Sequence, residues 1–267
     1  MQISIRHTID LTIGEGFPRA VQHLLLTPQA SSVQAIKEWR IEAPGLDDPT
    51  GFIDAYGNRA HLCTQSRPEA QIEIVATGIV ETFDRNGVVG RLERDPVPTL
   101  FKRVTTLTKP VGAIARNFRT PPKTGQERIA LLHALMARVG EVVGGAEHTQ
   151  SQSQGSQSQS QSQGGASAVA ADYAHAFVGA ARALEIPARF VRGYLLPDED
   201  EAATVHAWAE AWDDGLGWIG FDAMLGVCPS ERHVRVAGGL DDVSTTVVRS
   251  VPVGSAPAET LLVEAVG

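Results

Sequence analysis

His206 and Asp222 are the residues in the second half of the chain whose types and spacing could support acid–base chemistry. Read as a strand, residues 204–212 place His206, Trp208, Glu210 and Trp212 on one face. Val205, Ala207, Ala209 and Ala211 share the other. The small apolar face suits packing against a helix. The following Asp213-Asp214-Gly215-Leu216-Gly217 has hairpin composition. If Trp212 pairs with Trp218, Trp208 pairs with Asp222. His206 and Asp222 are then diagonal neighbours on adjacent strands, roughly 7–8 Å apart at Cα. Imidazole and carboxylate side chains can close that gap with a hydrogen bond. The carboxylate would then hold the ring tautomer and stabilise its protonated form, as the acid of a triad does. On residue types alone such a pair is often only a structural hydrogen bond, and both readings stay open.

A triad also needs a nucleophile. The two cysteines, Cys63 and Cys228, are too few for a disulfide framework, and neither sits in a CxxC pair. A zinc site built on them would need histidines. Both read as small buried apolar residues.

The elements that must position these groups fall into two parts. Residues 1–100 read as an all-β module. Gln2 to Ile9 alternates with period two, and further strands are expected at 21–28, 36–41 and 71–80. Turn signals such as Pro44-Gly45, Tyr56-Gly57-Asn58 and Arg85-Asn86-Gly87 separate them. Residues 101–267 read as an α+β domain. A short helix is expected at 110–118, with proline in its first turn. A second is expected at 125–143, with an apolar stripe of Ile129, Leu132, Leu135, Met136 and Val139. Residues 149–165 form a low-complexity Gln/Ser tract that cannot supply a packed core and reads as a surface insertion. An alanine-rich helix is expected at 167–184, with Tyr173, Phe177 and Val178 on its packed face. Strands are expected at 188–195, 204–212, 218–221, 245–251 and 260–266. One helix followed by antiparallel strands is an α+β architecture.

Bulk properties exclude several classes. A net charge of −8 without a basic cluster argues against nucleic acid and anionic membranes as partners. No apolar run approaches the roughly 20 residues that span a bilayer. The start of the chain alternates and lacks the apolar stretch of a signal peptide, so a cytoplasmic location is expected.

The strings around the His/Asp pair carry a resemblance. They include Asp172-Tyr173-Ala174-His175, Ile186-Pro187-Ala188-Arg189, Gly193-Tyr194-Leu195, His206-Ala207-Trp208-Ala209-Glu210, Gly217-Trp218-Ile219-Gly220-Phe221-Asp222 and Arg232-His233-Val234-Arg235. In this order and spacing they resemble the core of bacterial transglutaminase-like proteins. Arg6-His7-Thr8, Leu26-Thr27-Pro28 and Asp54-Ala55-Tyr56-Gly57-Asn58 resemble that group's β-rich N-terminal region. The resemblance implies a papain-like core, a helix packed on an antiparallel sheet, with a Cys-His-Asp triad. The histidine maps to His206, the aspartate to Asp222, and Trp208 and Tyr173 are the candidate substrate-binding residues. The cysteine belongs in a string like G-[VT]-C-x-[DE]-[YF]-[AS]-H. Here the matching residues are Ala168-Val169-Ala170-Ala171-Asp172-Tyr173-Ala174-His175, and the nucleophile position, 170, is alanine.

A thiolate attacks a carbonyl to form a thioester, and the acyl group passes on to an amine or water. A methyl group cannot do this. Loss of a triad nucleophile typically costs on the order of 10⁶ in turnover. The expectation is therefore an inactive member of the family that binds a peptide or protein segment in the remnant cleft. The alternative is a thiol protease, amidase or acyltransferase represented by a Cys-to-Ala variant. Ala171, at a position usually polar in the family, and the Gln/Ser tract upstream have drifted as well, which fits relaxed constraint. A third reading is an assembly subunit, a homo-oligomer joined through its β module. As substitute nucleophiles, Cys228 falls where the family has loop, and Ser167 reads as a helix cap. His175 and His233 read as packing or rim residues. No metal or cofactor is implied, although His175, His206 and Asp222 are competent zinc ligand types.

Overall fold

A computed structural model describes the chain except residues 48–49, 117, 119–121, 123, 154–162, 199–200 and 267. Seven strands come first: β1 (Gln2–Thr12), β2 (Arg19–Thr27), β3 (Gln34–Glu42), β4 (Phe52–Ile53), β5 (Arg59–Ser66), β6 (Gln71–Thr82) and β7 (Val88–Gly90). A 3-10 turn at Pro98–Lys102 leads to α1 (Gly112–Ala115), α2 (Gly125–Ser153) and α3 (Gln163–Ala183). Then follow β8 (Ala188–Leu195), β9 (Val205–Asp213), β10 (Gly217–Phe221), β11 (His233–Gly239), β12 (Val248–Val251) and β13 (Ala258–Val266).

The strands form three antiparallel sheets, ordered β13-β1-β6-β3, β12-β2-β5-β4 and β11-β8-β9-β10-β7. The architecture is α+β, with β-rich N-terminal sheets and helices packed on an antiparallel core sheet. In β1 the period-two pattern buries Ile3, Ile5, His7, Ile9 and Leu11 on one face. Ile3 and Ile5 pack with Tyr194, Val205, Val234 and Val236 of the core sheet. Every residue of β9 is buried, because both its faces are covered. Ala209 and Ala211 lie in the same cluster as Phe177, Ala180 and Ala181 of α3. Arg182 then anchors the end of α3. Its guanidinium donates to the carbonyls of Phe101, Ala188 and Leu240 and to the Thr108 hydroxyl.

Several sequence expectations are corrected. The second helix does not stop at 143: α2 runs to Ser153, into the Gln/Ser tract. Glutamine is a good helix former and nothing between Val143 and Ser153 removes a backbone donor, so the helix continues. α3 begins at Gln163, so Ser167 lies inside the helix and does not cap it. The middle of the tract, where a surface insertion was expected, lies outside the described residues. The short helix expected at 110–118 is only Gly112–Ala115. β5 was not expected, because His61, Thr64 and Gln65 blur its alternation.

Sheet membership also crosses the expected division between residues 1–100 and 101–267. β7 joins the core sheet, while β12 and β13 return to edge the two N-terminal sheets. Two amide side chains fasten the modules together. Gln34 exchanges hydrogen bonds with the backbone of Arg235, and Asn58 does the same with Gly238. They flank the register shift in β11 between Arg235 and Ala237, where regular pairing with β8 is interrupted. Among the described residues no helix is long and apolar enough to cross a membrane.

Candidate active site

β9 and β10 pair in the register expected, with Trp212 opposite Trp218. His206 and Asp222 come together as a result. The Nε2 of His206 lies 2.6 Å from Oδ2 of Asp222, and both side chains are buried. Asp222 is held on its other side as well. Its Oδ1 accepts the backbone N–H groups of Met224 and Leu225, each at 3.1 Å. A third partner was not foreseen: His233 on β11 reaches the same Oδ2 through Nε2, at 3.2 Å. Burial by itself would raise the Asp222 carboxyl. Hydrogen bonds from His206 and His233, with the electrostatic attraction of those rings, outweigh it and hold the group well below the usual carboxylate range.

Trp208 completes the cluster. Its ring stacks 6.2 Å from that of His206 and meets His233 edge-on at 5.4 Å. It is 3% exposed, and Tyr173 is 7% exposed within the helix core, so both belong to the interior. Gly193 faces His206 across the β8–β9 pair. A Cβ there would lie 2.1 Å from the Val234 carbonyl oxygen and 2.7 Å from the Trp208 ring. Gly193→Ala is expected to cost about 1–3 kcal/mol and to weaken the near-ultraviolet dichroism of the tryptophans. An unchanged denaturation midpoint would show that this contact does not confine the ring.

The nucleophile position lies where α3 packs on β8 and β9. Ala170 is 1% exposed and clusters with Ala171, Ala174, Phe190 and Ala207, the last adjacent in sequence to His206. It sits seven residues after the start of α3, about two turns in. The favourable field of a helix N-terminus fades beyond the first turn, so little of it reaches this position.

The remaining candidates fall elsewhere. His175 stacks on Phe190 at 4.8 Å, and its Nε2 accepts the Asp242 N–H at 3.0 Å. Burial lowers its titration, with Asp241 and Asp172 opposing. It is a structural hydrogen bond, and it does not join the group of possible metal ligands. Among the described residues that group is His206, Asp222 and His233, with donor atoms within 4.8 Å of one another. A metal-bound imidazole turns a bare nitrogen to the ion and carries its proton on the other. His233 is set the opposite way. Its Nδ1 accepts the Ser230 N–H at 3.2 Å, which places the ring proton on Nε2, facing Asp222. The cluster is built to share protons with a carboxylate. Cys228 is half-buried beside Gly87 and the helix core, and burial, then Asp84, raises its thiol. Burial, then Asp47, pushes Cys63 up to about 11.

Behind the rings lies an ionic cluster. Glu210 accepts from Arg189 at 2.6 Å and from Arg235 at 3.0 Å, and Arg189 also reaches Asp95 at 2.8 Å. The Arg189 guanidinium lies 4.0 Å from the Trp218 ring centre. A cavity of about 640 Å³ opens between the start of α3, the β8–β9 pair and β13. Ser167, Ala168, Ala171, Val205 and Thr204 line it, with an Arg192–Asp242 ion pair and Glu259. A larger groove of about 1050 Å³ lies on the N-terminal module, lined by Asp10, Glu42, Glu69 and Glu73 without a cysteine, histidine or cation.

Residues 113–223 match the model of the transglutaminase-like superfamily core, and residues 3–81 match that of the bacterial transglutaminase-like N-terminal region. The uncharacterized protein ML0607 of Mycobacterium leprae (strain TN) is 25% identical over 247 residues, covering 85% of this chain and 84% of that protein. A crystal structure from Cytophaga hutchinsonii, labelled provisionally as a cysteine protease, superposes with a TM-score of 0.51. It shares 18% identity and covers 99% of this chain and 89% of that one, a likeness of fold alone. The chain therefore combines a transglutaminase-like superfamily core with a bacterial transglutaminase-like N-terminal region.

Proposed function

We propose that this protein is an inactive transglutaminase-like protein that binds a peptide or protein segment in its remnant cleft. One observation carries the reading: the acid–base pair His206–Asp222 is kept at 2.6 Å while the family's thiol position, 170, holds a buried methyl group. A nucleophile that forms the thioester is the one part of the reaction that binding and proton transfer cannot replace. The 640 Å³ cavity beside Ala171 falls within the size range of ligand sites and offers alanine walls with a few convergent polar groups.

Calorimetric titration with glutamine-containing peptides tests the reading. Binding without ammonia release is expected. Ala168→Trp, at an exposed cavity position, should weaken it at least about tenfold (about 1.4 kcal/mol) while leaving the fold intact. Turnover by the unaltered chain would overturn the proposal, as would binding indifferent to Ala168→Trp. The retained His206–Asp222 pair favours a second reading, an amide-bond acyltransferase or protease seen as a Cys-to-Ala variant. A cysteine codon at 170 in the gene would decide for it.

A further inference from the structure

We propose that His233 is a positioning residue for His206, acting through the carboxylate they share. Asp222 has one oxygen committed to its own turn, the N–H groups of Met224 and Leu225. The other oxygen takes His206 at 2.6 Å and His233 at 3.2 Å. All three side chains are almost wholly buried. The Ser230 N–H, donated to Nδ1 of His233, selects the tautomer with its proton on Nε2. His233 is therefore a donor of defined direction, and it leaves the carboxylate as an acceptor toward His206.

The consequence is a chain of fixed tautomers. With Asp222 charged and aimed by His233, His206 must present its Nε2–H to Oδ2. Its Nδ1 is then the ring atom left to meet a ligand or a restored thiol. The edge-on contact between His233 and Trp208, and the stacking of Trp208 on His206, keep the two imidazoles 5.9 Å apart at their centres, so each meets Asp222 separately. Without the donor at 233, one buried acceptor site on Oδ2 is left empty. The carboxylate can then turn, and the hold on the His206 tautomer weakens. This inference does not depend on whether the cleft binds a peptide.

Two substitutions separate the two jobs of the ring. In His233→Gln the side-chain amide can place a donor where Nε2 stands. In His233→Asn the shorter side chain can still accept from Ser230 but cannot reach Asp222. Nitrogen-15 NMR of the histidine rings, with His206→Gln to assign the signal, reads tautomer and N–H exchange directly. The unaltered protein should show His206 as a single Nε2–H tautomer with a protected, low-field proton. His233→Gln should retain that signature. His233→Asn should mix the tautomers and speed exchange of the proton about tenfold or more. Equal behaviour of the two variants, or an unchanged His206 signal in His233→Asn, overturns the proposal. Loss of fold in both also overturns it, since His233 would then be a core residue and nothing more.

Discussion

Glu210→Gln is expected to lower folding stability by about 3–5 kcal/mol, the cost of breaking a buried ion pair from one side. The substitution changes neither size nor shape, so the loss is electrostatic. Glu210 and Arg189 have no exposed side-chain surface, and Arg235 is only 6% exposed. Arg189 and Arg235 are balanced by Glu210 and Asp95, two cations against two anions. Glutamine leaves an excess positive charge in the interior, with no water to solvate it. Urea denaturation at neutral pH measures the change, and a loss below about 1 kcal/mol would refute the argument. Arg138→Ala is the control: its partner Glu141 is 66% exposed, and such surface pairs contribute about 0–1 kcal/mol. Burial would raise the Glu210 carboxyl, but the charges of Arg189 and Arg235 outweigh it and lower it. Its contribution is therefore full above the ordinary carboxylate range and is lost as pH falls below it, so the variant should be less sensitive to acid than the parent.

Ala170→Cys is expected to create the one fast-reacting thiol of the protein, and to do so only while His206 is present. At pH 7 a thiol raised to about 11, as Cys63 is, has about one molecule in ten thousand as thiolate. Cys228 is raised as well, so the background labelling by a small electrophile is low. At position 170 the helix start is two turns away and contributes little to activation. Any enhancement must come from the imidazole. Adding His206→Phe to Ala170→Cys should therefore slow labelling at least about tenfold at pH 6–7. Mass spectrometry of the modified peptide reads the site. Labelling unaffected by His206 would mean that positions 170 and 206 do not face each other, and the inactive-cleft reading would fall with it. Labelling without restored turnover on peptides would mean that the cleft has lost more than its sulfur.

Much of the active region was legible along the chain. The alternation in 204–212 placed His206, Trp208, Glu210 and Trp212 on one face, and a short hairpin loop left little choice of register. The Trp212–Trp218 pairing followed, and with it the contact between His206 and Asp222. The helix ends were not legible. Gln/Ser repeats lack the apolar period that marks a helix, yet nothing in their first residues forbids one, and α2 runs into them. Trp208 and Tyr173 were the candidate substrate-binding residues that the family resemblance implied. The sheet and helix packing buries both.

What the chain alone determined is local: strand faces with period two, helix stripes with period 3.6, and the absence of a thiol at 170. What only the tertiary structure decided is which distant residues share an acceptor. His233 meets Asp222 from a strand two places away in the sheet order from that of His206, a neighbourhood that no alternation announces. Arg189 and Arg235 converge on Glu210 from strands on one side of it, and Asp95 meets Arg189 from a loop. β12 and β13 return to sheets begun by β1 and β2. Side-chain periodicity encodes the direction a residue points. It carries no record of strand order, and strand order sets which buried charges and imidazoles meet.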